Sequence, residues 1–158
     1  MKLQKDIKII LNQKTINKMR ICVQNASPYE ACGLIFGNIK EFEVNGGFQY
    51  HYIGKEFKCI ESTKKSTVAF LIDNIEELND IYQNAARKYS LQLISIFHSH
   101  PGGAYPSGVD TKNMKYLDDF KAFKNLVWTI INAENYDLNG FIYFNNEFLQ
   151  IVVEESKE

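Results

Sequence analysis

The chain has 158 residues, 45% of them hydrophobic and 23% charged, a balance that fits one compact globular domain and excludes a disordered or fibrous polymer. Lysine plus arginine (18) against aspartate plus glutamate (19) leaves a formal charge of −1, so no whole-molecule field draws nucleic acid or an anionic membrane. The longest apolar runs, such as Leu34 to Phe36 and Leu126 to Trp128, fall far short of the roughly 18 residues of a spanning helix.

A chain of this length buries roughly 70% of the surface its unfolded form exposes, so it needs neither disulfides nor a structural metal. Any metal is then free to be catalytic. Met1 to Lys8 alternates charge with single apolar residues and carries no leader-like apolar core or small-residue cleavage site, which points to a cytoplasmic protein. Cys22, Cys32 and Cys59 are odd in number and lack C-x-x-C spacing. Reduced thiols are expected, rather than a disulfide framework or a cysteine-rich zinc site.

In chain order, Asn12 caps a predicted helix whose apolar positions Ile16, Met19, Val23 and Ala26 follow helical spacing, with Pro28 ending it. Ala31 to Phe36 reads as a strand broken by Gly33. Glu41 to Val44 and Phe48 to Ile53 flank Asn45-Gly46-Gly47, a hairpin signal. More strand is expected near Phe57 to Ile60 and Val68 to Ile72. Asp73 and Glu76 have capping-box spacing, and Ile75, Leu78, Tyr82, Ala85 and Tyr89 then recur at helical intervals.

Leu91 to His98, rich in β-branched and aromatic residues, reads as a buried strand that opens into Pro101-Gly102-Gly103. A third helix is expected to begin after Asp110 and run to about Phe120, with Asp110 available as its N-cap. Leu126 to Ile131, Leu138 to Phe144 and Glu147 to Val153 close the chain as strands, the last two joined through Asn145-Asn146. This order predicts a single α/β domain spanning residues 1–158, a mixed sheet packed by helices.

The chemistry concentrates at the end of the most apolar strand, where His98 and His100 flank Ser99. Residues two apart on a strand project to the same face, so two imidazoles can converge on one ion while Ser99 faces away. The loop shaped by Gly102, Gly103 and Pro106 brings back Ser107 and then Asp110, ten positions after His100. Two histidines and a carboxylate are three protein ligands, and a catalytic zinc keeps its fourth position for a water whose pKa falls to roughly 7. Such a water still needs a proton acceptor. Glu30 is the candidate, a carboxylate at the mouth of an apolar strand that has no packing use for one.

His98-Ser99-His100-Pro101, then Pro106-Ser107-Gly108-Val109-Asp110, with Pro28-x-Glu30-x-Cys32-Gly33-Leu34 upstream, resembles the JAMM (MPN+) metalloprotease family, most of all its compact prokaryotic and archaeal members. The resemblance spans nearly the whole chain. It implies a cytidine deaminase-like α/β fold and a zinc-dependent isopeptidase or peptidase acting at the C-terminal tail of a ubiquitin-like modifier or sulfur-carrier protein. By it, His98, His100 and Asp110 hold zinc, Glu30 is the general acid/base, and Ser107 donates to the oxyanion. The stretch from His100 to Asp110 is one residue shorter than the commonest family spacing. Segments that eukaryotic members use to grip ubiquitin are brief, so no long chain clamp is expected. An extended diglycine-ended tail would lie beside an exposed strand edge.

Three rival readings use the same residues. One is a catalytically inactive scaffold or modifier-binding module of the same fold. Another is a cysteine protease built on Cys32 and His98, disfavoured because no environment that lowers a thiol pKa surrounds Cys32. The third is a non-haem iron oxygenase, whose usual H-x-D/E with a distant histidine differs from H-x-H with a distant aspartate. His51, between Tyr50 and Tyr52, reads as an ordinary strand residue.

Overall fold

The computed structural model describes residues 1–60 and 74–157. Its strands are β1 (Lys2–Asn12), β2 (Cys32–Val44), β3 (Gly47–Ile60), β4 (Gln92–His100), β5 (Val127–Asn132), β6 (Leu138–Phe144) and β7 (Glu147–Ser156). The helices are α1 (Gln13–Ala26), α2 (Ile75–Tyr89) and α3 (Gly108–Asp118), with a short 3-10 turn at Lys121–Phe123. The sheet closes in the order β1-β3-β2-β4-β5-β6-β7. It is mixed: β1 runs parallel to β3 and β7, and β4 parallel to β5, while the other neighbours are antiparallel. The predicted α/β domain with a mixed sheet is thus the observed one, although its closure into a barrel was not expected.

Strand β1 is not among the elements expected from the sequence. Ile7, Ile9 and Leu11 are buried at 3%, 0% and 0% exposure, an alternation that faces a strand's inner side to the core. Their burial links both ends of the sheet, because β1 lies between β3 and β7. Gly33 does not break β2, which runs unbroken to Val44. Glycine is demanded most strongly at Gly37, where a Cβ would stand 1.8 Å from the Ile53 carbonyl oxygen as the β2–β3 register shifts. The hairpin turn is as predicted: Asn45 (φ 28°) and Gly46 (φ 83°) both take positive φ, the requirement of a two-residue type I′ connection.

Side chains of the sheet sort into two apolar clusters. Met19, Cys22, Val23 and Ala26 of α1 pack with Ile9, Leu11, Ile35, Phe57 and Phe97, while Leu78 and Ala85 of α2 and Met114 and Leu117 of α3 pack with Leu34, Phe36, Ile96, Trp128 and Ile130. Neighbouring residues of β2 thus bury on opposite faces, which commits both faces of the sheet to helices. No helix among the described residues is long and apolar enough to cross a membrane.

The expectation of three reduced thiols is corrected. Cys22 of α1 and Cys59 of β3, 37 residues apart, are joined by a disulfide with Cα atoms 5.8 Å apart. Spacing along the chain could not reveal it, because the pair meets only when α1 lies across β3. Cys32 alone is free, and it is buried. The strand expected at Val68 to Ile72 and the cap expected at Asp73 lie outside the described residues. The second helix begins at Ile75 with Asn74 at its N-cap position.

Candidate metal centre

Strand β4 carries both histidines at its C-terminal end. A register shift between β2 and β4 around Ile35 and Phe36 leaves Ile96 facing the α2/α3 side and Phe97 the α1 side. The side chains beyond them alternate accordingly. His98 is buried beside Trp128, whose ring meets the imidazole edge-on at 84° and 6.0 Å. Ser99 faces away as expected: its Oγ accepts a hydrogen bond from Ala31 N at 2.8 Å, tying the segment after Glu30 to the histidine strand.

Helix α3 supplies the carboxylate from its first turn. It starts before Asp110, not after it, so the N-cap is Ser107 and Asp110 is the third helical residue. The two form a capping box: Ser107 Oγ accepts from Asp110 N at 3.1 Å, and Ser107 N donates to Asp110 Oδ2 at 2.8 Å. This reciprocal clamp aims the carboxylate back toward β4.

There the three side chains meet. His98 Nε2 and His100 Nε2 are 3.0 Å apart. His98 Nε2 lies 3.2 Å from Asp110 Oδ1, and His100 Nε2 lies 3.0 Å from Asp110 Oδ2. Burial pushes the Asp110 carboxyl up, but hydrogen bonds from His100, His98 and the Ser107 amide outweigh it and hold the group well below the usual carboxylate range. His100 is raised, chiefly by its hydrogen bond to Asp110, against the opposing effect of burial and with help from the charges of Asp110 and Glu30. His98 Nδ1 is buried without a hydrogen-bond partner among the described residues, whereas its Nε2 faces His100 and Asp110.

This donor set fits a cation. Two imidazole nitrogens and a carboxylate, their ligand atoms all within 4.8 Å of one another, present lone pairs to one point and need positive charge there. Ligands about 2.0–2.1 Å from a tetrahedral zinc stand about 3.3–3.4 Å from each other, close to the separations observed here. The group could therefore hold a metal ion.

Glu30 shares no hydrogen bond with these side chains among the described residues, and its link to them is the electrostatic one to His100. It lies two residues before β2 rather than inside a strand, half-buried, on a wall of a cavity that also touches Ser99 and Pro101. Ser107 is exposed; its Oγ accepts from Asp110 N, which leaves the hydroxyl proton to donate. His51 stands apart, its ring 4.6 Å from Phe42 on the β2–β3 hairpin. Cys32 pairs with His98 across the β2–β4 ladder, yet desolvation pushes its thiol up to about 12, so it is no thiolate nucleophile. Strand β4 is paired on both edges, with β2 and β5, so an incoming peptide cannot add a strand to it.

Residues 12–142 match the family described as prokaryotic homologs of the JAB domain. No curated protein sequence matches the chain. The fold is similar to that of a Desulfitobacterium hafniense protein solved in solution (TM-score 0.66, 24% identity, 95% of each chain covered). It is also similar to a JAB1/MPN domain protein from Archaeoglobus fulgidus (TM-score 0.53, 14% identity, 95% of this chain and 99% of that one). At these identities the two structures speak for the fold alone, while the family match takes in both histidines, Ser107 and Asp110. The chain belongs to the prokaryotic JAB-domain family, the compact branch of the JAMM/MPN proteins.

Proposed function

We propose that the chain is a zinc-dependent metallo-isopeptidase or peptidase that cuts at the C-terminal tail of a ubiquitin-like modifier or sulfur-carrier protein. The observation that carries this reading is the convergence of His98, His100 and Asp110, with Asp110 clamped by Ser107 and with Glu30 close enough to act on His100 electrostatically. His98, His100 and Asp110 would hold the zinc, which when bound polarises the scissile carbonyl and acidifies water.

The chain's own residues do the rest. Glu30 takes a proton from the attacking water as the new C–O bond forms, and returns it to the departing nitrogen as the tetrahedral intermediate collapses and the C–N bond breaks. Ser107 donates its free hydroxyl proton to the oxyanion of the tetrahedral intermediate. Asp110, kept ionised by its hydrogen bonds, stays an acceptor throughout. The depth of His98 beneath Trp128 keeps one side of the site dry, which strengthens each of these interactions.

The reading is tested by incubating zinc-loaded protein with modifier conjugates and modifier precursors and identifying the cut bond by mass spectrometry. Cleavage after the tail's terminal glycine, abolished by a chelator and restored by zinc, supports it. Loaded protein that leaves every conjugate and precursor intact contradicts it.

A further inference from the structure

Strand β4 runs parallel to β5 and carries the histidines at its C-terminal end; beside Leu93 and Leu126, where the two strands begin, a cavity of about 480 Å³ opens. Leu93 stands five residues before His98, about 17 Å at the rise of an extended chain, so this cavity is separate from the metal centre. Its volume falls within the roughly 300–1,000 Å³ of small-molecule sites. Leu93, Leu126 and Tyr52, all buried, give it an apolar floor.

The wall above that floor is basic. Lys121 and Lys124 are exposed and line the cavity, whereas no carboxylate among the described residues lines it, and neither lysine forms an ion pair among the described residues. In a chain of formal charge −1 this is a local excess of positive charge. The segment that bears both lysines is also fixed. Between them Phe123 is buried, and its N donates to Phe120 O at 2.9 Å. Asn125 is held in the left-handed region (φ 59°) from two sides: its N donates to Asp118 Oδ1 at 3.0 Å, and its O accepts from the Tyr52 hydroxyl at 2.9 Å. The Asp118 carboxylate is thereby engaged by the backbone, and the two ammonium groups stand on a turn that needs little ordering to receive a ligand.

We propose that this cavity is a second binding site, for a small phosphate monoester with an aromatic body. A phosphate monoester carries about −1.5 to −2 charges at pH 7, which two lysines without competing carboxylates match. The Gln92 carboxamide and the Tyr82 hydroxyl, on the same wall, add hydrogen-bond donors. The leucine and tyrosine floor receives the ring. Inorganic phosphate would leave that floor uncovered, and a neutral aromatic would leave the lysines unmatched, so the two halves of the ligand are required together. The site shares no side chain with His98, His100 or Asp110, and the proposal stands apart from the peptidase reading.

The test titrates full-length protein with adenylate, uridylate and phenyl phosphate, and with adenosine and inorganic phosphate as controls, by calorimetry and through the backbone amide resonances of Leu93, Ala122, Asn125 and Leu126. At least one of the three esters is expected to bind saturably with shifts at those residues, tenfold or more tighter than either control, and more weakly as salt is raised. Lys121→Ala with Lys124→Ala should cost about tenfold in affinity, in keeping with two exposed charge pairs, while thermal unfolding stays at the wild-type temperature. Gln92→Glu, which sets a carboxylate in the wall, should weaken binding several-fold. No saturable binding of any ester, equal binding of adenosine, shifts confined to the metal centre, or an affinity unchanged by loss of both lysines overturns the proposal.

Discussion

Ser107 and Asp110 hold each other through two reciprocal hydrogen bonds, 3.1 Å from Asp110 N to Ser107 Oγ and 2.8 Å from Ser107 N to Asp110 Oδ2. The start of a helix and the carboxylate corner of the metal centre are thus one piece of structure. Because the bond to the carboxylate comes from the Ser107 backbone, it survives loss of the side chain. Ser107→Ala is expected to cost about 1 kcal/mol of stability through the lost cap. It should change zinc affinity only a few-fold and lower kcat by about 100-fold or more through loss of the oxyanion donor. Thermal unfolding, zinc titration and steady-state kinetics separate the three effects; a large loss of zinc affinity would mean that the hydroxyl itself orients the ligand.

Glu30 stands outside the hydrogen-bonded group, so its removal should spare the metal. Glu30→Gln is expected to retain zinc at wild-type stoichiometry and to lose turnover by at least 100-fold, the usual worth of a positioned general base. Undiminished cleavage by Glu30→Gln at equal zinc content would remove Glu30 from the reaction.

The bond between Cys22 and Cys59 closes a loop of 37 residues, for which chain-entropy arguments give about 4 kcal/mol of stabilisation. Denatured but unreduced protein should take up alkylating reagent at Cys32 alone, and reduced protein at all three cysteines, read as mass increments. The reduced form should unfold at clearly lower denaturant. Three alkylated thiols without reductant would restore the expectation drawn from cysteine spacing.

Burial sets an alkaline limit. Cys32 is pushed from 9.0 to about 12, chiefly by desolvation, and Tyr52 from 10.0 to about 12 for the same reason. Both fold as neutral acids with raised pKa values, so their contribution is complete below the unfolded values and is lost as pH climbs through about 12. Each group should therefore cost about 1.4 kcal/mol per pH unit once its unfolded form ionises. Melting curves from pH 8 to 11 should fall steadily above pH 9, and Cys32→Ala should flatten the first part of that fall. A flat wild-type profile would show that the thiol reaches water.

How much of this was legible in the letters depended on how local each signal was. The cap at Asn12, the Asn45-Gly46 turn and the helical stripe from Ile75 to Tyr89 are short-range patterns, and they appear as read. The triad was legible because two of its members share a strand face and the third returns on one short loop. What escaped was long-range. The alternation of Ile7, Ile9 and Leu11 was a strand signal in plain sight, but only pairing with β3 and β7 gives it meaning. Cys22 meets Cys59 through the packing of a helix on a sheet, which no spacing rule contains. Asp110 was assigned the cap that Ser107 takes, since both are good cap residues and only the backbone tells which one leads the helix.

The most direct measurement is zinc content and affinity of the purified protein by elemental analysis and competition titration, with Asp110→Asn and His98→Ala in parallel. One zinc per chain in the wild type, with affinity reduced at least 100-fold in both variants, is the expected result. Wild-type protein that takes up no zinc, or variants that bind it as tightly as wild type, would mean that His98, His100 and Asp110 are not a metal centre.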